Sequence, residues 1–311
     1  MKIAIFGSNS EIAKDLIHSI EEKNKNVELF LFTRHPEKII SWQKEIKLQK
    51  KYPVYNYSNF ESFNYDAIIN FVGAGDPAKI EVMDKSIFDI TFFYDQIILN
   101  YLKLHPASKY IFMSSGAVFG NNFQYPVSEK TISNINVNDI DSNSWYGLSK
   151  LFAECRHRLL QSFSIIDVRI FNYFSYTQNI NSRFLLTDII RSIKNDQVLN
   201  VSNQNVMRDF IGKDDFYNLI TLLLDLRSEN TSIDCYSKAP VNTNQILIFM
   251  RENYGLKFIK HKNLPNFNQS SAKLNYYSLS RKAEKFGFEP KFTSMELIQN
   301  EIKKIFNFLR N

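Results

Sequence analysis

The chain has 311 residues, 44% of them hydrophobic and 14% aromatic, enough for one large α/β body with a smaller lobe. Its net charge of +6 comes from dispersed Lys and Arg. The densest groups, Lys44, Lys47, Lys50 and Lys51, and Lys257, Lys260 and Lys262, carry no DNA- or RNA-reading motif and read as solvated faces, although the balance helps to draw an anion toward the protein. Cys155 and Cys235 lack paired spacing, and five scattered histidines lack ligand spacing, so neither a disulfide scaffold nor a metal site is expected. With no signal peptide and no apolar run near the ~20 residues of a membrane span, a cytoplasmic location is expected.

Lys2-Ile-Ala-Ile-Phe6 is a short apolar run bounded by Gly7, after which Ile12, Ala13, Leu16, Ile17 and Ile20 recur at helical spacing. The pattern predicts strand, tight turn, helix. Gly7-Ser8-Asn9-Ser10-Glu11-Ile12-Ala13 is similar to the glycine-rich phosphate loop of dinucleotide-binding domains, with Ser10 where a second glycine usually stands. Backbone N–H groups and the helix dipole at such a turn favour a pyrophosphate; an ordinary strand-to-helix turn gives the same pattern. The second strand, Val27 to Phe32, ends in Thr33-Arg34. An acidic residue there would bond the ribose 2'-hydroxyl of NAD, whereas Arg34 suits the 2'-phosphate of NADP or simply faces solvent.

Further apolar runs follow at Ala67 to Val72, Tyr110 to Met113 and Ile165 to Ile170, with helical patterns over Phe92 to Leu104 and Leu148 to Leu160 between them. Nearly uninterrupted apolar strands alternating with helices predict a doubly wound parallel α/β sheet, of Rossmann type, with a smaller C-terminal lobe. Tyr146 and Lys150 stand four apart on a predicted helix, downstream of a strand that ends in Ser114-Ser115. On one helix face the ammonium can sit beside the phenol and lower its pKa from about 10, making it an acid and base near neutral pH; such a pair also decorates many solvated faces. From about 173 to 202 the pattern is loop and helix, Arg208 to Leu226 gives a short strand and a helix, and Ser232 to Tyr236 is a candidate last strand. The expected division is 1–172 plus about 203–237 for the dinucleotide-binding domain, and about 173–202 plus 238–311 for the lobe, with helices over Asn242 to Tyr254 and Ser294 to Leu309.

Taken together, Gly7 to Ala13, Asp66 to Gly73, Phe112-Met-Ser-Ser-Gly-Ala-Val-Phe-Gly120, Tyr125-Pro-Val-Ser-Glu129, Tyr146-x-x-x-Lys150, Arg169-Ile-Phe-Asn172 and Arg208 to Asp215 resemble the extended short-chain dehydrogenase/reductases of the nucleotide-sugar epimerase, dehydratase and reductase type. The resemblance spans residues 1 to about 216, with a looser match at Phe286 to Pro290. It implies Ser115, Tyr146 and Lys150 as the catalytic set: Ser115 bonding the reacting sugar oxygen, Tyr146 exchanging its proton, and Lys150 holding the nicotinamide ribose. It implies a dinucleotide along Gly7 to Ile12, Thr33, Arg34, Phe71, Val72, Gly73, Tyr146 and Lys150. Substrate contacts are expected from Ser115, Gly116, Asn172 and Arg208. A guanidinium fork suits phosphate oxygens, and a surface salt bridge to Asp209, Asp214 or Asp215 is the other reading of Arg208.

In the family's sugar 4,6-dehydratases an acidic pair follows the catalytic threonine; here Gly116 and Ala117 stand at those positions, so dehydration is not expected. Phe119 replaces the tyrosine usual before the terminal glycine, and Thr91 stands near where the family often has an active-site asparagine. Of what remains, Arg34 favours an NADPH-dependent reductase of a nucleotide-linked 4-keto-6-deoxy sugar. An NAD(P)-dependent 4-epimerase is the alternative, and a non-catalytic nucleotide sensor is disfavoured by the intact Ser115, Tyr146 and Lys150. The resemblance also implies a homodimer through the helices at Phe92 to Leu104 and Leu148 to Leu160, with Tyr94, Ile98 and Tyr101 forming the apolar face.

Overall fold

The computed structural model describes residues 1–23, 26–73, 81–83, 86–138, 140, 142–262 and 273–310. Residues 263–272 and 311 of the expected lobe lie outside the described residues. The principal sheet is built from β1 (Lys2–Phe6), β2 (Glu28–Phe32), β3 (Val54–Tyr55), β4 (Ala67–Asn70), β5 (Lys109–Ser115), β6 (Ile165–Ile170) and a seventh strand, Asn230–Asp234. From edge to edge the order is Asn230–Asp234, β6, β5, β4, β1, β2, β3, and every pairing is parallel. This is the doubly wound sheet expected from the apolar runs.

The central strands bury both faces, as parallel strands covered by helices must, while the edge strand β3 is half-buried. In β1, Ile3 and Ile5 join a core with Ala13, Leu16 and Ile17 of the helix Glu11–Lys23 and Leu219, Ile220 and Leu223 of the helix Lys213–Asp225. Ala4 and Phe6 point the other way, into a core with Ile98, Leu99 and Leu102 of the helix Ser86–Leu104 and Ala153 of the helix Ser142–Leu159. At about 1.5–3 kcal/mol per fully buried large apolar side chain, these two layers dominate the favourable side of folding.

The expectation that Tyr94, Ile98 and Tyr101 form an outward apolar face is overturned. Ile98 and Tyr101 are buried in the sheet-facing core, Tyr101 Oη accepts from Tyr65 N at 2.9 Å, and the Tyr94 ring packs on Tyr57 at 4.4 Å. The physical reason is that Ile87 to Leu104 is apolar on nearly all sides, so periodicity could not single out the buried face. The outward aromatics are Phe92 (44% exposed) and Phe93 (57%), joined by Phe152 (50%) from the neighbouring helix.

A third core gathers Phe174, Leu186, Ile189 and Ile190 with Ile246, Leu247 and Met250 and with Leu297, Ile298 and Ile302. It holds the helices Leu185–Lys194, Thr243–Tyr254 and Ser294–Arg310. Two small pairings went unanticipated: Val198–Ser202 pairs in parallel with Lys257–His261, and the short strand expected at Arg208, Met207–Arg208, lies between Val241–Asn242 and Asn275–Tyr276. Partners so far apart in the chain leave no local pattern that pairs them.

Candidate active site

In register, Phe6 of β1 lies opposite Phe32 of β2 and Asn70 of β4. The segments following these three strands therefore converge at the carboxyl edge of the sheet, where the chain order reverses between β1 and β4, the place at which open α/β sheets hold ligands. Gly7 has φ +70°, and a Cβ there would meet Phe71 C and Val72 N at 2.9 Å, so both backbone and space require glycine. Ser8 is buried with its Oγ donating to Phe32 O at 3.2 Å, Asn9 is exposed, and Ser10 N donates to Gly7 O at 2.9 Å. The helix starts at once with Glu11, and Ile12 packs on the core beneath. Gly7 N donates to the Tyr57 hydroxyl at 3.1 Å, pinning the turn from above.

Thr33 is buried and its Oγ1 accepts from His35 N at 3.2 Å, while Arg34 is exposed at the end of β2 with its charge felt by the Tyr57 and Tyr94 phenols. After β4, Phe71 N donates to Phe6 O at 2.9 Å and Val72 N to Asn70 Oδ1 at 2.9 Å. Gly73 has φ +142°, and Lys150 Nζ lies 3.2 Å from where its Cβ would stand. A turn with no room for a side chain, a helix N-terminus and a buried lysine along one edge fit a dinucleotide.

β5 is buried throughout and delivers Ser115 to the turn Gly116–Phe119, where Ser115 Oγ accepts from Ala117 N at 3.1 Å. A side chain at Gly116 would collide with the Phe171 ring, and one at Gly147 with Ala117 O. Glycine at 147 thus lets the helix Ser142–Leu159 approach the turn, which brings Tyr146 to Ser115. Burial raises the Tyr146 phenol above its ordinary value, and the hydroxyl of Ser115 lowers it in part.

The expected tuning of Tyr146 by Lys150 is not in place. The two residues do share a helix face, but the lysine stem runs over the Phe112 ring, 4.4 Å from its centroid, and Nζ donates to Met113 O at 2.8 Å and Val72 O at 3.5 Å. Burial pulls the ammonium down to about 8, against the pull of Asp95, Asp167 and Glu154. Behind it, His157 is clamped between Asp95 (Nε2 to Oδ1, 2.8 Å) and Asp167 (Nδ1 to Oδ1, 2.6 Å). Burial alone would depress the imidazolium, but the two carboxylates outweigh it and hold His157 at about 9.

Arg208 is buried, donating to Met207 O at 2.8 Å and Lys273 O at 2.7 Å. The three aspartates considered for it have other partners: buried Asp209 with Ser237 and Ser294, Asp214 with Lys23, and buried Asp215 with the backbone of Lys291 and Phe292. Burial lowers the guanidinium to about 10. Asn172, next to the Phe171 ring that covers Gly116, donates from Nδ2 to Asp209 O at 3.0 Å. The structure thus brings Ser115, Gly116 and Tyr146 together.

Sequence reasoning missed two residues here. Tyr276, 6% exposed, places its hydroxyl 3.3 Å from Ser115 Oγ. Lys273, 7% exposed, donates to Gly120 O at 3.1 Å with Nζ 5.0 Å from the Phe123 centroid and 4.8 Å from that of Tyr276; burial, then Arg208, brings it down to about 8. No local pattern links either to Ser115, about 160 residues upstream; the only signal was the short aromatic pair Tyr276-Tyr277 near the chain's end.

Among the described residues no group of three His, Cys, Asp or Glu is placed to hold a metal, and no helix is long and apolar enough to cross a membrane. No curated protein matches the chain. Solved structures do: UDP-glucose 4-epimerase from Thermotoga maritima with UDP-glucose (TM-score 0.80, 14% identity, 100% of each chain covered). UDP-glucuronic acid 4-epimerase from Bacillus cereus, with UDP-glucuronic acid and NAD, gives a TM-score of 0.78 at 16% identity over 99% of this chain and 100% of that one. dTDP-glucose 4,6-dehydratase from Bacillus anthracis, with NAD, gives 0.77 at 14% identity over 97% and 96%. At such identities the likeness is one of fold. The family model described as "NAD dependent epimerase/dehydratase family" matches residues 3–235, from β1 through the seventh strand of the sheet. The chain belongs to the NAD dependent epimerase/dehydratase family, of the extended short-chain dehydrogenase/reductase type.

Proposed function

We propose that the protein is an NADPH-dependent reductase of the C4 keto group of a nucleotide-linked 4-keto-6-deoxy sugar, with Ser115, Tyr146 and Lys150 as its catalytic residues. The observation that carries the chemistry is the Ser115 hydroxyl facing a Tyr146 phenol that burial keeps protonated. A protonated phenol is ready to donate to the alkoxide that forms as a ketone is reduced. The bound dinucleotide supplies the hydride, held along Gly7 to Ile12, Thr33, Arg34 and Phe71 to Gly73.

The chain's own residues do the rest. Ser115 donates a hydrogen bond to the developing oxyanion and Tyr146 transfers its proton to that oxygen. Lys150, beside Gly73, reaches the nicotinamide ribose. Arg208 and Asn172 bind the diphosphate. A carboxylate in place of Gly116 would require the Phe171 ring to move, which argues against dehydration.

Arg34, exposed where a 2'-phosphate would sit, supports NADPH. The second reading is a 4-epimerase that retains NAD, favoured by similar folds whose descriptions name UDP-sugar 4-epimerases. Supplying a UDP- or dTDP-4-keto-6-deoxyglucose with NADPH distinguishes the two: stoichiometric NADPH consumption supports the reductase. Interconversion of UDP-glucose and UDP-galactose with retained cofactor and no net NADPH loss supports the epimerase.

The assignment extends to the rest of the molecule. Residues 1–172 and about 203–237 form the dinucleotide-binding domain, and about 173–202 and 238–311 the substrate lobe. The protein works in the cytoplasm as a homodimer joined through Phe92, Phe93 and Phe152. The Phe92 and Phe152 rings stack at 6.2 Å under the Arg156 guanidinium, an exposed aromatic face spanning both helices.

A further inference from the structure

Tyr276 belongs to the strand Asn275–Tyr276, whose parallel partner is Met207–Arg208, with Tyr276 and Arg208 in register. The same strand is tied to the segment after the catalytic turn, since Asn275 N donates to Phe123 O at 2.8 Å and Val127 N to Tyr277 O at 3.1 Å. The Tyr276 ring packs between Phe123 (4.7 Å) and Phe171 (5.2 Å), with the Lys273 ammonium and the Arg208 guanidinium over it. Its hydroxyl ends against Ser115, whose other side faces Tyr146. Ser115 therefore stands between two phenols.

We propose that Tyr276 is a positioning residue for Ser115: its O–H donates to Ser115 Oγ, so that the serine proton points to the side of Tyr146, where it turns to the reacting sugar oxygen once substrate is bound. This rests on reading Ser115 and Tyr146 as the proton-transferring pair. The directionality follows from counting donors. Ser115 Oγ has one proton and already accepts Ala117 N–H; a donated hydrogen bond from Tyr276 fills its remaining acceptor capacity and leaves the proton for Tyr146. Burial keeps the Tyr276 phenol firmly protonated, so it serves as a donor throughout the cycle. Because Tyr276 and Arg208 are strand partners, a nucleotide gripped by Arg208 would also steady the donor behind Ser115.

The test follows ionisation of Tyr146 by ultraviolet difference titration of the NADP-loaded protein, with Tyr146→Phe subtracted to isolate its signal. Ser115→Ala and Tyr276→Phe should each move that ionisation to higher pH, the latter by roughly half to one pH unit, the effect of losing one hydrogen bond to the ionised form. In the double variant Tyr276→Phe should add nothing to Ser115→Ala. UDP affinity, measured by calorimetry, should stay unchanged in Tyr276→Phe.

An unmoved ionisation in Ser115→Ala would overturn the reading of the pair itself. A shift in Ser115→Ala but none, or a downward one, in Tyr276→Phe would overturn only the role of Tyr276, since a downward shift means that the serine had been donating to Tyr276. A loss of UDP affinity in Tyr276→Phe as large as that in Arg208→Ala would make Tyr276 a packing residue and also overturn it.

Discussion

Lys150 Nζ donates to the Met113 carbonyl oxygen at 2.8 Å, so the ammonium that was expected beside the Tyr146 phenol is fastened to the end of β5. Burial leaves it near a pKa of about 8, which gives the lysine a protonation change within working range. Below that pH it is charged and able to bond a ribose hydroxyl; above it the charge is lost. Dinucleotide affinity should therefore fall as pH rises through about 8, and in Lys150→Met it should be weaker and nearly flat with pH. Fluorescence titration with NADPH at several pH values checks this, and equal slopes for the two proteins would count against it.

For Tyr146→Phe the expected result is an intact fold and unchanged cofactor affinity with turnover lowered about 10²- to 10⁴-fold, the range for losing a general acid. The hydroxyl is all that the substitution removes. Reduction of a 4-keto nucleotide sugar at the wild-type rate would show that the proton comes from elsewhere.

Arg34 is exposed, so its pairing with a 2'-phosphate is a charge-assisted bond made at the carboxyl edge of the sheet. Arg34→Ala should weaken NADPH binding by about 1.5 to 3 kcal/mol and leave NADH nearly untouched. Equal losses for both, measured by calorimetry, would remove the case for NADP.

His157, held at about 9 between Asp95 and Asp167, links stability to pH. Its folded pKa lies above the ordinary 6.5, so the stabilisation is fully present below pH 6.5 and is lost as pH rises toward about 9. Urea denaturation should show a decline across that window of at most roughly 3 kcal/mol. In His157→Gln the protein should be less stable at pH 6 and the decline should largely vanish. A stability difference between the wild type and His157→Gln that is level from pH 6 to 9 would contradict the clamp, since Lys150 and Lys273, both lowered to about 8, act equally in the two proteins.

Phe92 and Phe152 are half exposed on adjacent helices, away from the sheet. Placing a charge there, as in Phe152→Glu, should turn a dimer at micromolar concentration into a monomer by light scattering without loss of helical signal. A wild-type protein that is already monomeric would refute the proposed interface.

The sheet was legible in the sequence because its strands are continuous apolar runs and its crossovers are helical in period, a signal local enough to read residue by residue. Gly7 was legible for the same reason, as was the placing of Tyr146 and Lys150 on one helix. What the pattern could not carry was direction. Both faces of Ile87 to Leu104 are apolar, so only packing decided that Ile98 and Tyr101 turn inward and Phe92 outward. The lysine stem could reach the phenol or the β5 carbonyls, and the Phe112 ring beneath it decided for the carbonyls. Tyr276 and Lys273 belong to the site only because a two-residue strand pairs beside Arg208 and lays their side chains against Ser115 and Gly120. Contacts between residues 161 and 153 positions apart leave no periodic trace, since the chain's own geometry correlates neighbours over a few turns and everything beyond is set by which surfaces pack.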